Sequence, residues 1–268
     1  MQLTRYHRIR VYRILQTYSE KYKWKWKAKR ERAFMIELSK RLQTVADFVT
    51  KKTIADIGTD HGYVPIYLHK KGVIEKAIAC DINKKPLEKA NENIKKNCAE
   101  NVIVTRLGNG LEVLKPYEVE TIVIAGMGGM LMIELLKQSN QVVQTAEELV
   151  LCPHLDVPNV RRYVQKIGFC IQEEKMILEG GKFYNILHMF KGQQKYDKEI
   201  EYIFGKILLQ KKDDVLKQYL KKEKIRLERV EEVLKQKQTQ QAKLRLEAIQ
   251  KQKNNIKEAE ICLYCVKR

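Results

Sequence analysis

A segment rich in acids and glycines, Ile54-Ala-Asp56-Ile-Gly58-Thr-Asp60-His61-Gly62, lies where a short apolar run gives way to a helical pattern. Glycines at such a strand-to-helix turn let the backbone approach a ligand closely. The dinucleotide fingerprint GxGxxG is absent, because Asp60 stands in the place of its second glycine. A carboxylate there disfavours a pyrophosphate and suits a ligand that carries a cation. The sulfonium and amino groups of S-adenosylmethionine fit that description.

Two further polar turns follow the next apolar runs. Asp81 comes 25 positions after Asp56 and closes the second run, in Ala79-Cys80-Asp81-Ile82-Asn83. A carboxylate there can accept hydrogen bonds from both ribose hydroxyls of an adenosyl group, although acids at strand ends are also common helix caps. Gly108-Asn109-Gly110-Leu111 follows the third run. An acid or amide at that place can meet an adenine amino group, and the same residues also suit a simple turn.

The fourth apolar run ends in three glycines within four residues, in Ile124-Ala125-Gly126-Met127-Gly128-Gly129. Such a sequence directly after a buried strand is destabilising unless something approaches the backbone closely. Either a ligand lies against this turn, or the turn packs tightly between a strand and a helix. An Asn/Asp-Pro-Pro-Tyr motif is absent after this run, which argues against the usual methylases of exocyclic amines.

The spacing of apolar residues predicts the scaffold that positions these turns. Strands are predicted at 53–57, 76–81, 102–106, 121–125, 148–152, 169–178 and 183–190, and helices at 63–71, 86–97, 130–138 and 157–167. Repeated βαβ units that close on an antiparallel pair describe a doubly wound α/β sheet with an antiparallel edge. Ligands bind such sheets at the carboxyl ends of the strands, where all four turns are expected to meet.

Residues 193–268 are predicted to form a separate helical domain. Beyond Gly205 this segment has neither glycine nor proline. Its apolar residues follow the spacing of a coiled-coil seam, at Leu216, Leu220, Leu227, Val230 and Leu234 and then at Ala242, Leu246, Ile249, Ile256 and Leu263. The Gln-rich stretch Gln236–Gln241 predicts the turn of a helical hairpin, and one uninterrupted helix is the alternative. The charge pattern suits either an RNA-binding surface or a solvated, structural or dimerising coiled coil.

Positive charge is concentrated at the two ends of this 268-residue chain, whose net charge is +19. Residues 1–32 carry 11 basic and 2 acidic side chains, and residues 195–268 carry 20 basic and 12 acidic ones. The middle of the chain, residues 33–194, is nearly neutral, with 21 basic and 19 acidic side chains. This surplus indicates either a polyanionic partner or a lysine-rich bias that favours solubility. The sequence has no run of about 20 apolar residues and no secretory signal, so we expect a soluble cytoplasmic protein with no membrane partner.

The six cysteines are scattered and predict no disulfide framework. Only Cys262 and Cys265 have the spacing of metal ligands, and without a second such pair they are better explained as residues of an apolar helix face. We therefore predict no metal site.

Residues 1–34 form a basic N-terminal extension that interleaves Lys and Arg with Tyr22, Trp24 and Trp26. This composition suits an arm that contacts RNA. Met35, however, stands directly before an amphipathic helical pattern, and the purine-rich codons expected for Lys29–Arg32 would resemble a ribosome-binding site. We therefore favour Met35 as the native start.

Taken together, the four turns resemble the bacterial tRNA (adenine-22-N1)-methyltransferases, the TrmK family. The elements DIGTDHGY, CDIN, GNGL and AGMGG stand in the family's order and spacing, and the likeness covers Met35 to about Phe190. Ser39–Gln43 and Gly181–Tyr184 also look like family elements. Two positions depart from the family pattern: Asn109 stands where Asp is usual, and Cys152-Pro153-His154 stands where the family tends towards Gln-Pro-Asn.

The resemblance implies a class I, Rossmann-like methyltransferase domain at 35–192 and a tRNA-binding coiled-coil domain at 193–268. It implies S-adenosylmethionine as the methyl donor, N1 of a tRNA adenine as the acceptor and no metal, and we favour a monomer. The residues assigned to the donor site are Asp56, Gly58, Asp60, His61, Asp81, Ile82, Asn109, Gly110, Ala125, Gly126, Met127, Gly128 and Gly129.

The expected chemistry depends on positioning more than on a strong base, because N1 of adenine already has an in-plane lone pair. Asp60 is the candidate catalytic residue, since a carboxylate stabilises the cationic product, but it can equally hold the methionine ammonium group. His61 either orients Asp60, lines the donor pocket or does no chemistry. Because N1 lies on the Watson–Crick edge, the base must be unpaired before it reacts. A methyltransferase for another RNA or a small molecule, and a non-catalytic RNA-binding protein, remain as alternatives.

Overall fold

The computed structural model describes residues 36–237 and 239–265, and its centre is a seven-stranded sheet. The strands are β1 (Thr53–Ile57), β2 (Lys76–Asp81), β3 (Ile103–Leu107), β4 (Thr121–Ala125), β5 (Glu148–Cys152), β6 (Phe169–Glu179) and β7 (Lys182–Lys191). Their order is β3-β2-β1-β4-β5-β7-β6. Strands β1 to β5 are parallel, and β7 runs antiparallel to both β5 and β6. The predicted doubly wound sheet with an antiparallel edge is confirmed, and every predicted strand lies within one residue of its observed bounds.

The helices of the described ranges are α1 (Lys40–Asp47), α2 (Tyr63–Lys70), α3 (Lys84–Lys96), α4 (Gly129–Gln138), α5 (Asn140–Thr145), α6 (Val157–Lys166), α7 (Lys206–Gln210), α8 (Asp214–Lys235) and α9 (Gln240–Tyr264). A 3-10 turn covers Gly110–Val113 and a π-helical turn covers Glu201–Gly205. The predictions missed α5, α7 and these two turns, because each is too short to show a helical period.

The central strands are buried on both faces, which explains why they read as continuous apolar runs. In β4 and β5, Ile122, Ile124, Leu149 and Leu151 are all fully buried. The surrounding helices are apolar on one side only; in α3, for example, Leu87, Ala90 and Ile94 are buried at helical spacing. Packing between these layers fixes the parallel strands so that their carboxyl ends share one edge.

A buried hydrogen-bond network fastens the opposite end of the sheet. Glu148, at the start of β5, accepts hydrogen bonds from the Thr50 amide (3.2 Å), from the Thr121 hydroxyl and from His188 Nε2 (2.7 Å). Burial alone raises the pKa of Glu148, but these hydrogen bonds outweigh it and hold the pKa below its ordinary value. The network therefore stabilises the charged form of a buried acid.

The C-terminal segment folds as the predicted helical hairpin. Helix α8 ends at Lys235 and α9 begins at Gln240, so the chain reverses inside the Gln-rich stretch. Ion pairs between Lys253 and Glu231 (2.7 Å) and between Lys224 and Glu260 (3.4 Å) show that the helices are antiparallel. The seam residues Leu216, Leu220, Leu227, Ala242, Ile249, Ile256 and Leu263 are buried, and Val230, Leu234 and Leu246 are partly buried.

A fully buried ion pair lies between the sheet and the start of the C-terminal segment. Arg161 of α6 pairs with Glu174 of β6, and its Nη1 also donates to the carbonyl oxygens of Tyr202 (2.6 Å) and Ile203 (3.1 Å) in the π-helical turn. A buried charge needs such partners, so this contact fixes the start of the tail against the sheet. From Leu38 onward the described residues form one compact unit. The proposed boundaries at 35–192 and 193–268 stay predictions.

The basic extension and the favoured start at Met35 lie outside the described residues. Across residues 36–237 and 239–265, none of the helices combines the length and the apolar character that a membrane crossing requires. In the same ranges, no three His, Cys, Asp or Glu side chains gather as a metal ion would require.

Candidate active site

The turn after β1 is shaped by its backbone conformation. Gly58 and Gly62 have φ angles of +72° and +71°, and Asp60 between them has +51°. Residues with a side chain rarely adopt a positive φ, so glycine is favoured at 58 and 62, and the surrounding turn holds Asp60 in this conformation. The amides of Gly58 and Thr59 both donate to the carbonyl oxygen of Cys80, at 2.8 and 2.9 Å. The first predicted turn is therefore anchored to the end of β2.

Asp56 lies inside this turn and is only 4% exposed. Its Oδ2 accepts a hydrogen bond from the hydroxyl of Thr59 at 2.6 Å. Burial raises the pKa of Asp56 to about 6, against the lowering effect of that hydrogen bond. The carboxylate supports the turn from within, and its direct contact with a donor stays a prediction.

Asp60 and His61 lie at the surface of the same turn. The Asp60 side chain is 68% exposed, and its Oδ2 is 3.6 Å from His61 Nε2. The Asn93 side chain donates to the His61 carbonyl oxygen at 2.9 Å and so fixes the backbone beside it. Among the described residues, His61 Nδ1 is buried without a hydrogen-bond partner. The pair thus offers an accessible carboxylate next to an imidazole, and the predicted catalytic roles stay predictions.

Asp81 ends β2 beside this turn. Its Oδ1 accepts from the Asn83 amide at 2.8 Å, and its backbone carbonyl oxygen accepts from the Gly108 amide at 3.0 Å. Within the described chain, Oδ2 of Asp81 makes no hydrogen bond and can accept one from a ligand. Ile82 follows with 62% of its surface exposed, which is unusual for an isoleucine and provides an apolar surface next to the carboxylate.

The turn after β3 carries the predicted amide. The Asn109 side chain is exposed and makes a long hydrogen bond of 3.4 Å to Glu112 Oε1. Gly110 has a φ of +56°, and a Cβ there would collide with Leu135. Glycine at 110 therefore has a structural explanation, whereas Asn109 remains free to contact a ligand.

The glycines after β4 have different explanations. A Cβ at Gly129 would collide with the carbonyl oxygen of Leu155, so this glycine is required by packing. Gly126 has a φ of +90°, which favours glycine on conformational grounds. Gly128 has a common backbone conformation and no atom within 4 Å of a Cβ placed there. Gly128 stands at the N-cap position of α4, where glycine is common, and its predicted contact with a donor stays a prediction.

Met127 connects the turn after β4 to the turn after β1. Its Cε lies against Gly58, so closely that a Cβ on Gly58 would collide with it. Its carbonyl oxygen accepts from the His154 amide at 2.9 Å. Because β4 lies next to β1 and parallel to it, the two turns meet at one edge, as predicted.

Three side chains beside Gly126 form a second group, the acceptor-side cluster: Arg41, His154 and Tyr184. A Cβ on Gly126 would lie 3.7 Å from Arg41 Nη1 and 3.9 Å from His154 Nε2. The Tyr184 ring centroid is 5.6 Å from that of His154 and 5.5 Å from the guanidinium carbon of Arg41. Burial lowers the pKa of His154, and the charges of Arg41 and Lys182 lower it further. His154 is therefore neutral near pH 7.

The sequence contained only a weak signal for the acceptor-side cluster. Arg41 and Tyr184 lie within Ser39–Gln43 and Gly181–Tyr184, which resemble family elements, and His154 departs from the family pattern, but no sequence feature places these residues in a site. The structure brings the three together beside the glycine turn. The edge of the sheet therefore combines a side rich in carboxylates and amides with a side of aromatic rings and one cation. The first side suits a cationic nucleoside and the second a flat base attached to a phosphate.

Comparison with known proteins gives consistent matches. A family model for a methyltransferase domain matches residues 38–187. The Bacillus subtilis tRNA (adenine(22)-N(1))-methyltransferase is 36% identical over 153 residues, which cover 57% of this chain and 64% of that protein. The chain thus spans slightly less than two thirds of this curated relative.

Solved structures of similar proteins match a larger part of this chain. M. capricolum TrmK, in complex with S-adenosyl-homocysteine, is 31% identical with a TM-score of 0.75, over 84% of this chain and 99% of that one. A Streptococcus pneumoniae protein in complex with S-adenosyl-L-methionine is 32% identical with a TM-score of 0.74, over 83% and 99%.

Proposed function

The chain belongs to the methyltransferase-domain family and, within it, to the bacterial tRNA (adenine-22-N1)-methyltransferases called TrmK, and on this premise we propose that it methylates N1 of an adenine in tRNA, at position 22. S-adenosylmethionine is the proposed donor. The observation that carries the proposal is the continuity of the site. The exposed Asp60 after β1 and the half-buried Asp81 at the end of β2 are followed along the same edge by Met127, Gly128 and the acceptor-side cluster.

The donor side fits an adenosyl sulfonium. Asp81 offers a free carboxylate oxygen for the ribose, Ile82 an apolar surface for the adenine, and Asn109 an amide for its amino group. Asp60 lies where a positively charged methionine portion would be attracted. When bound, S-adenosylmethionine supplies a methyl group activated by its sulfonium charge.

The acceptor-side cluster fits the target nucleotide. The Tyr184 and His154 rings present flat faces on which an extruded adenine can stack. A neutral His154 adds no positive charge next to the methylated base, which becomes cationic. The planar guanidinium of Arg41 presents donors in the geometry that matches a phosphate, and we therefore assign it to the phosphate of this nucleotide.

The proposed division of labour leaves little acid–base chemistry to the protein. N1 attacks with its own lone pair, so these residues act by holding the base in line and excluding water. Asp60 provides a negative charge near the edge where positive charge moves from donor to base. The basic hairpin of α8 and α9 is proposed to bind the folded tRNA through its phosphates.

Methyl transfer tests this proposal directly. The protein is incubated with labelled S-adenosylmethionine and an unmodified tRNA transcript, and the nucleosides are then separated. We expect label in 1-methyladenosine from the transcript with A22 and none from a matched transcript with G22. Label in another nucleoside would point to a different RNA target. Absence of both transfer and donor binding would favour a non-catalytic RNA-binding protein. We further propose a cytoplasmic location. We also propose that the protein is a monomer, and analytical ultracentrifugation can check this oligomeric state.

A further inference from the structure

A groove of about 570 Å³ lies between the start of β7 and the outer face of α8, away from the four turns of the active site. We call it the tail groove and define it by Phe183, Tyr219, Lys222, Arg226 and Arg229. The rings of Phe183 and Tyr219 meet edge to face, with centroids 5.3 Å apart and planes at 75°. Both rings are partly buried and line the groove, which thus has an aromatic wall.

The groove is also lined by cations, which follow Tyr219 along the same face of α8. Lys222 Nζ lies 5.5 Å from the Phe183 ring centroid and donates to the Gly181 carbonyl oxygen at 3.1 Å. Arg226 pairs with Glu223, its Nε lying 2.9 Å from Oε2. Arg229 is exposed and makes no ion pair within the described ranges. Three cations against one acid favour a ligand with negative charge.

Strand β7 connects the tail groove to the acceptor-side cluster. Phe183 and Tyr184 are consecutive in β7, so their side chains point to opposite faces of the sheet. Tyr184 contacts His154 on one face, and Phe183 contacts Tyr219 on the other. The two sites thus lie on opposite faces of the sheet beside the tip of the β6–β7 hairpin, and a strand of RNA that places one nucleotide at Tyr184 reaches the groove by passing around this tip.

We propose that the tail groove holds one unstacked nucleotide of the RNA substrate, with its base against Phe183 and Tyr219 and its phosphate on Lys222 and Arg229. Aromatic walls and cations together are how proteins bind single-stranded RNA without reading its sequence, since every base has a flat face. The inference rests on the proposed function only in taking RNA as the substrate. The groove would hold the strand on which the target adenine is extruded.

The test measures binding of a fluorescent unmodified tRNA transcript at several salt concentrations. Phe183→Leu keeps an apolar side chain but removes the ring, and it should weaken binding about 5- to 150-fold with little change in salt dependence. Arg229→Ala should weaken binding and reduce the slope of log affinity against log salt by about 1. Lys95→Ala, which removes an exposed charge from the last turn of α3, outside the hairpin and the active site, is the control and should change neither value.

Photocrosslinking of the same complex gives an independent readout. Cleavage after lysine releases Tyr219 in the short peptide 218–221, and we expect this peptide to carry RNA. Unchanged binding by Phe183→Leu would overturn the proposal, as would an equal loss for Arg229→Ala and Lys95→Ala, which would indicate diffuse attraction. A change in oligomeric state of Phe183→Leu without an effect on RNA would instead make the groove a protein interface.

Failure of this inference is distinguishable from failure of the proposed function. If the wild-type protein methylates tRNA and Phe183→Leu binds it normally, only the inference fails. If the wild-type protein binds and crosslinks RNA through Tyr219 but transfers no methyl group, only the proposed activity fails.

Discussion

Replacing Asp81 by alanine should weaken the binding of S-adenosylmethionine by about 2 kcal/mol or more, or about 30-fold in Kd. The magnitude comes from the contacts left open at the end of β2. Asp81 Oδ1 already accepts from the Asn83 amide, and Oδ2 makes no hydrogen bond within the described chain. An ionised carboxylate can accept about four hydrogen bonds, so both ribose hydroxyls can still be accommodated. Each such charge-assisted bond typically contributes about 1.5–3 kcal/mol.

Titration calorimetry with S-adenosylmethionine measures this effect, and two variants make it specific. Asp81→Asn keeps an acceptor but loses the charge, and we expect an intermediate affinity. Glu88→Ala removes an exposed acid from the neighbouring helix α3 and should leave the affinity unchanged, which separates direct contact from the general field of a basic protein. Wild-type affinity in Asp81→Ala, with its fold intact by circular dichroism, would refute the placement of the adenosyl group at this strand end.

Three further changes test other parts of the structure. Gly129→Ala should lower the free energy of unfolding in urea by about 1–3 kcal/mol because its Cβ has no room, whereas Gly128→Ala should fold normally and lose methyl transfer; equal stabilities would contradict the assignment. Because the pKa of Glu148 is lower in the folded state than its ordinary value of 4.5, its ionisation stabilises the fold at pH values above 4.5. This contribution is lost as the pH falls through the folded-state pKa. Glu148→Gln should therefore flatten the acid limb of stability against pH, and an unchanged limb would exclude this network. Arg161→Met leaves Glu174 buried without its partner and should lower the free energy of unfolding by about 3–5 kcal/mol. Adding Glu174→Leu should recover much of that loss, and no recovery would show that packing around Arg161 matters more than charge.

The parallel sheet could be predicted from the sequence because its strands are buried on both faces. Each then appears as a short apolar run bounded by polar or glycine-rich turns, as Thr121–Ala125 does before its glycines. The hairpin was predictable for a related reason, since a long helix repeats its apolar spacing many times. Short elements such as Asn140–Thr145 offer less than two turns, so no period distinguishes them from loops.

The roles of individual glycines could not be predicted from the sequence. The motif Gly126-Met127-Gly128-Gly129 allowed either a packing turn or a ligand, and the structure gives the packing explanation to Gly129 but not to Gly128. Gly129 is explained by the carbonyl oxygen of Leu155, which comes from a different loop. Only the folded chain shows that Gly128 has open space beside it. A glycine-rich motif therefore indicates that the backbone is constrained, but the sequence does not show whether packing, conformation or a ligand imposes the constraint.

The topology of the sheet explains why the residues of the proposed donor side could be predicted from the sequence and those of the acceptor-side cluster could not. On the donor side each residue follows directly after its own strand, and parallel strands end at a common edge, so local sequence is sufficient to place it. The acceptor-side cluster takes Arg41 from α1, His154 from the loop after β5 and Tyr184 from β7. These residues are more than 100 positions apart at the extremes, and they meet only because β5 lies between β4 and the antiparallel β7. Because no local sequence pattern specifies the order of the strands, the residues of the proposed donor side could be predicted from the sequence, whereas those of the acceptor-side cluster could be found only in the fold.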